Sequence, residues 1–259
     1  MAADLSGVWA KIARAEEHLA LLDAKIRAFI EGDPQPIALS IPYLDPDSGW
    51  YIVYGVVEQE PPPRLGVILG DVLHNVRSAL DHLIWQLVLL RDKTPTRGNA
   101  FPTSFSEDDW KSVINSLLQG VSGPHRAIID TVQPYQGTDS PESTYLGMLK
   151  ILSNVDKHQI VHPVFGVILH PGPQHAGFRV ATGGGVIVKS QIRHGARIDH
   201  GAEVMRALVE PREDDTEIYV DGDIPIDIAF GDRLVPWGHL KNLPQVARVI
   251  VREFEPDFA

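Results

Sequence analysis

The sequence predicts an α+β protein: an N-terminal helical, bundle-like part with a β-hairpin, followed by an antiparallel β part and a C-terminal helix. Three observations predict this. Apolar residues recur at helical spacing through most of the first 160 residues. After His158 the period changes to β-branched and alternating runs separated by Gly and Pro. The helical period then returns from about Leu240. Helical and strand runs that are segregated, and do not alternate, indicate α+β. The expected division is 1–160 and 161–259, whether or not the two pack as one domain.

Each element has its own signal. Val8, Ile12, Ala15, Leu19, Leu22, Ile26 and Phe29 place a helix over Leu5 to Ile30, and Gly32 and Pro34 stop it. Ile37 to Glu58 reads as a β-hairpin around the turn-rich Asp45-Pro-Asp-Ser-Gly49. Pro61 to Pro63 is a stiff connector into a central helix, Gly66 to Leu90, with Asp71 placed near its start. A polar loop follows from Arg91 to Phe105. Ser106 is the expected N-cap of a helix reaching about Gln119, with Asp109 three residues on. Further helices are expected over Pro124 to Val132 and Tyr145 to His158. Strands are expected over Val161 to Leu169, Phe178 to Ala181, Val186 to Ile192, Glu203 to Val209 and Glu217 to Phe230. Gly183-Gly-Gly185 and Asp221-Gly222 read as hairpin turns. A last amphipathic helix spans about Leu240 to Phe254.

Composition narrows the function classes. With 23 basic against 34 acidic residues the formal charge is −11, which disfavours broad binding to nucleic acid or anionic membranes. The absence of cysteine removes disulfides, thiolate chemistry and Cys-based zinc sites. No run is long and apolar enough to span a bilayer, so no membrane partner is expected. MAADLSGVWAKIARAEEHL lacks a basic segment followed by an apolar core, so a cytoplasmic location without a signal peptide is the expectation.

The most informative stretch is the central helix. Leu69, Val72, Leu73, Val76, Ala79, Leu80, Leu83, Ile84 and Leu87 fall on one half of the helical wheel. The other half carries Asp71, His74, Asn75, Arg77, Ser78, Asp81, His82, Trp85 and Gln86, without a single Lys or Glu. A solvated helix face is usually rich in both. These residue types hydrogen-bond in specific geometries, so the face is expected to be covered by a second helix, a second subunit or a ligand. A second polar cluster, Asn154, Lys157 and His158, shares a face at i, i+3 and i+4. If the two helices pack together, a cleft of Arg77, Asp81, His82, Asn154, Lys157 and His158 would favour a small anionic ligand such as a phosphate or carboxylate.

Arg77-Ser-Ala-Leu-Asp-His82 on a bundle helix resembles the Arg-x4–6-His signature of the HEPN superfamily of nucleotide-binding and ribonuclease domains. The resemblance implies a homodimer with a composite cleft and metal-independent cleavage of RNA. An imidazole would move the 2′-hydroxyl proton and a guanidinium would hold the charge developing on the phosphorane. Arg77, His82, Asp81 and His158 are then the catalytic candidates, and His74, Asn75, Ser78, Trp85, Asn154 and Lys157 the ligand-binding ones. Taken together, the strings Gly70-Asp-x-Leu-His-Asn-x-Arg-Ser-Ala-Leu-Asp-His82, Phe101-Pro102, Gln133-Pro-Tyr135 and Asn154-x-Asp-Lys-His158 resemble a family of uncharacterised bacterial proteins frequent in actinobacteria. That resemblance implies no activity.

Two other readings remain open. In one, the polar face is only an interface of an assembly protein, its side chains bonded to one another or to a partner. In the other, His74, Asp81 and His82 hold a divalent metal for a small-molecule hydrolase. His158 and His162 are also four apart, but Pro163 points to a helix that has already ended. No cofactor is expected. Gly183-Gly-Gly185 has no helix after it and is a turn, not a phosphate loop. His170, His175, His194 and His200 are expected in exposed turns or strand ends. Ser104, Ser106 and Ser143 read as caps or loop residues.

Overall fold

The computed structural model describes residues 3–137, 140–167, 177–222 and 226–258. The chain is α+β, with antiparallel sheets only among the described residues. It divides into two compact units whose pieces interleave in sequence. One comprises Met1–Ala24, Arg64–Val161 and Gly238–Ala259; the other comprises Lys25–Pro63 and His162–Trp237. The terminal helix therefore belongs with the helical residues, and the first strands belong with the later ones. A boundary drawn at 160/161 places neither group there.

The helical unit is built on α2, Arg64–Leu89. All nine residues assigned to its apolar half are at most 1% exposed. Burying each Leu or Ile contributes about 1.5–3 kcal/mol, so this face is the largest single contribution to the unit. α1, Ser6–Ile30, begins here and buries Val8, Ile12, Ala15 and Leu22. α5, Tyr145–Asp156, and α7, Leu243–Arg252, both pack against α2. Two shorter helices complete the unit: α3, Glu107–Leu117, and α4, Gly123–Thr131. Ser106 caps α3 by accepting the Asp109 N–H at 3.1 Å, as its spacing predicts, and Ser122 caps α4 in the same way. α2 starts two residues earlier than expected, which leaves Asp71 two turns inside the helix and not near its positive end.

Gly66 and Gly70 let the end of α5 approach α2 closely. A Cβ at Gly66 would collide with the Val161 carbonyl, and one at Gly70 with the Asp156 carboxylate. The two glycines, four apart, form a notch on one side of α2. The chain leaving α5 lies in that notch, which sets where Asp156, Lys157 and His158 can be.

In the strand unit, β1 (Ile37–Leu39) and β2 (Tyr43–Leu44) form a broken edge strand beside β3 (Tyr51–Val57). β3 then pairs with β7 (Glu203–Glu210), and β7 with β6 (Val186–Ile192). Its core joins Tyr51, Val53, Met205, Ala207 and Val209 to Phe178 and Ile218. Phe178 lies on β5 (Gly177–Thr182) and Ile218 on β8 (Glu217–Asp221), which pair with each other. A third sheet has the order β10 (Val235–Pro236), β9 (Ile226–Phe230), β4 (Pro163–Val167). The hairpin reading of the Gly183–Gly185 and Asp221–Gly222 turns is corrected by this pairing. β5 pairs with β8 and β9 with β4, so neither turn joins two paired neighbours. A local turn signal cannot specify which strand a returning strand meets. The expected final helix is split into α6 (Trp237–Leu240) and α7, with Asn242 and Pro244 at the break.

Candidate functional site

α2 presents its polar half to three different surroundings. On one flank α1 covers it. Asn75 is buried, accepts from Lys11 at 3.5 Å and donates to the Asp71 carbonyl at 2.8 Å. Gln86 accepts the Asp4 N–H at 3.0 Å, and His18 lies 3.9 Å from the Asp71 carboxylate. Asn75 is thus a helix-packing residue and not a ligand-facing one.

On the other flank lies the segment Phe101 to Thr103. Arg77 donates from Nη2 to the Phe101 carbonyl at 2.7 Å and from Nη1 to Thr103 Oγ1 at 3.3 Å. It also pairs with Asp81, one turn along α2, at 3.1 Å. Asp81 in turn accepts the Phe101 N–H at 2.8 Å. Of the five guanidinium N–H groups, one on Nη1 is left over. Between the flanks, a strip carrying His74, His82 and Trp85 is exposed, with Ser78 partly exposed and 3.4 Å from His74. The expectation that the whole face is covered therefore holds only for its two edges.

The two polar clusters do meet, but not in the expected pairs. Asn154 and Lys157 reach the Arg77 flank, where they line a cavity of about 210 Å³ between α2, α3 and α5. His158 instead lines a groove with Gly70, Asp71, His74 and Asp156, and Lys157 borders that groove as well. His82 lies eight residues beyond His74, about 12 Å along the helix, next to Gly7 of α1. The expected joint cleft of His82 and His158 is not formed. Arg77 and His82 likewise line no common cavity, as their separation of about 140° around the helix requires. Among the described residues no three His, Asp or Glu side chains are arranged to hold a metal ion. This corrects the His74, Asp81, His82 alternative: Asp81 faces Phe101 and Arg77, and His74 and His82 are two turns apart.

The α2–α3–α5 cavity contains residues that the sequence did not single out. Along α5, Lys150, Ser153, Asn154 and Lys157 stand at i, i+3, i+4 and i+7, one stripe facing the cavity. Lys150 donates to the Thr103 carbonyl at 2.7 Å, lies 3.5 Å from Asp109 and sits over the Phe105 ring. Extending the Asn154/Lys157 spacing backward by one turn would have found Lys150. Ser104 has no such signal. It is a loop residue, as read from the sequence, but a buried one: it is 1% exposed with its hydroxyl unpartnered, and the Ser153 hydroxyl is buried and unpartnered as well. Lys157 and Asn154 make no side-chain hydrogen bond or ion pair among the described residues. Arg77 pairs with Asp81 and Lys150 with Asp109, whereas Lys157, exposed and shared with the groove of Asp71 and Asp156, adds a positive charge without an ion pair in a strongly acidic protein.

The His74 groove has the opposite character. Burial raises the Asp156 pKa above its ordinary 3.8, and the nearby Asp71 charge raises it further, with His74 acting in the other direction. Elsewhere in the unit, burial and the Asp130 carboxylate push the Tyr135 phenol up to about 12. Of the remaining histidines, His200 donates from Nδ1 to the Val57 carbonyl at 3.1 Å, and His194 is half-buried, not exposed, with Nδ1 unpartnered. His170 and His175 lie outside the described residues. No helix among the described residues is long and apolar enough to cross a membrane. Comparison with protein-family models, with curated proteins and with solved structures finds no match for this chain.

Proposed function

We propose that the helical unit binds a small anionic ligand in the cavity between α2, α3 and α5, and that the site binds without breaking bonds. One observation carries this reading. Ser104 and Ser153 both line the cavity, their hydroxyls are buried without hydrogen-bond partners, and Lys157 on the same lining is unpaired. A buried polar group left unsatisfied costs about 1–3 kcal/mol. Two in one cavity are explained if an acceptor-bearing guest completes them. The net positive charge favours that guest being an anion, held by charge-assisted bonds from Lys157 and the remaining Arg77 N–H.

The same residues argue against bond-breaking chemistry. No histidine lines the cavity, and neither serine hydroxyl is hydrogen-bonded to a base. The ribonuclease alternative needs Arg77 and His82 on one phosphate, whereas Arg77 is engaged with Asp81, Phe101 and Thr103.

Calorimetric titration with inorganic phosphate and with acetate tests the reading. Saturable binding is expected, weakened about tenfold or more by Lys157→Gln, which removes one charge-assisted bond. Absence of saturable binding of either anion at millimolar concentration refutes it.

A further inference from the structure

We infer, on the basis of the anion site just described, that its ligand is an amphiphilic monocarboxylic acid: a carboxylate bearing a short apolar chain. Three features of the cavity point to this class.

The first is how the cations are already used. Arg77 is balanced by Asp81, and Lys150 by Asp109 and the Thr103 carbonyl. Lys157 alone makes no ion pair among the described residues. One unpaired positive charge matches a monoanion. A phosphate monoester carries about 1.5 to 2 negative charges at neutral pH and would leave the excess unpaired.

The second is the pair of donors. The Ser104 and Ser153 hydroxyls can each donate one hydrogen bond, and a carboxylate offers two oxygens to receive them.

The third is the wall opposite α5. Asp109, Val113 and Leu117 stand at i, i+4 and i+8 on α3, so one stripe of that helix faces the cavity. Its first residue is already bonded to the Phe105 N–H at 3.2 Å. The other two are apolar and only half-buried. An anion without a carbon chain would leave them wet. The volume, about 210 Å³, equals that of about seven waters at ~30 Å³ each, room for an acid with a few methylenes.

The test is a ligand series on the full chain: acetate, butanoate, hexanoate, hexan-1-ol and hexyl phosphate, with inorganic phosphate as reference. Each methylene fully buried against Val113 and Leu117 is worth about fourfold. Hexanoate is therefore expected to bind at least about tenfold tighter than acetate, with hexan-1-ol and hexyl phosphate both weaker than hexanoate. Leu117→Asn is expected to reduce the hexanoate-to-acetate ratio to less than about threefold. Val113→Thr provides the same comparison with a smaller change in shape. Equal affinities for acetate and hexanoate, or a preference for hexyl phosphate or hexan-1-ol, overturn the assignment of ligand class while leaving the anion site in place. If neither the acids nor inorganic phosphate bind, the anion site itself is refuted.

Discussion

Arg77 and Asp81 together hold both backbone polar groups of Phe101: the guanidinium donates to its carbonyl at 2.7 Å and the carboxylate accepts its N–H at 2.8 Å. The Phe101 side chain is fully buried, so neither group has ready access to water. This i, i+4 ion pair anchors the loop that forms one wall of the cavity. The pair is partly exposed, so its own Coulomb attraction contributes little; the two backbone bonds contribute more.

Arg77→Ala and Asp81→Ala are each expected to destabilise the protein by about 1–3 kcal/mol by leaving one Phe101 group unpaired. Thermal melting should fall by several degrees in each case. Arg77→Lys should not restore it, because an ammonium cannot span Phe101, Thr103 and Asp81 together as a planar fork does. A Lys variant melting like the wild type would refute the clamp.

The glycine notch gives a contrast between two positions one turn apart. Gly70→Ala meets a side chain, the Asp156 carboxylate, whereas Gly66→Ala meets the Val161 backbone carbonyl. Both should cost about 1–3 kcal/mol. Combining Gly70→Ala with Asp156→Ala should recover much of the loss, and no side-chain change can do that for Gly66→Ala. Denaturant titration of the double-mutant cycle measures the difference.

Asp156 yields a pH prediction of definite sign. Its folded pKa lies above 3.8, raised by burial and then by Asp71. Between 3.8 and that higher value the native chain retains a proton that the unfolded chain has lost, so this group makes stability fall as pH rises through the interval. Its ionised form then costs stability at every higher pH. Asp156→Asn should raise the melting temperature at pH 7, and the gain should disappear below about pH 3.8. A gain that persists unchanged in acid would mean that the charge is not the cause.

Tyr135 should ionise late. Burial and its hydrogen bond to Asp130 raise its pKa to about 12. The stability it contributes is fully present below the ordinary tyrosine value near 10 and is lost as pH rises through the folded value. An alkaline absorbance titration should show a step near pH 12, and Tyr135→Phe should remove it.

RNA incubated with the protein in EDTA is expected to remain intact. Arg77 is engaged on the loop and His82 lies near Gly7, so neither can serve a shared phosphate within one chain. Cleavage abolished by His82→Ala would return the Arg-x4-His reading to favour.

The sequence by itself determined most of the buried residues along α1 (though Leu19 and Phe29 are only half-buried) and the apolar half of α2, as well as where Ser106 caps α3 and that strands succeed helices. These follow from period and local hydrogen bonding, which act over a few residues and leave their pattern in the chain. It also singled out Arg77, Asn154 and Lys157, which line one cavity, within a wider expected set whose Asp81, His82 and His158 lie outside that cavity. The tertiary structure alone decided that His158 turns to His74 and not to His82, because the Gly66–Gly70 notch fixes where the end of α5 lies. It alone brought Ser104 and Ser153 to the lining of one cavity, residues 49 positions apart with no shared period. It alone paired β5 with β8, since a strand's alternation specifies a face to bury and leaves its neighbour to be chosen by packing.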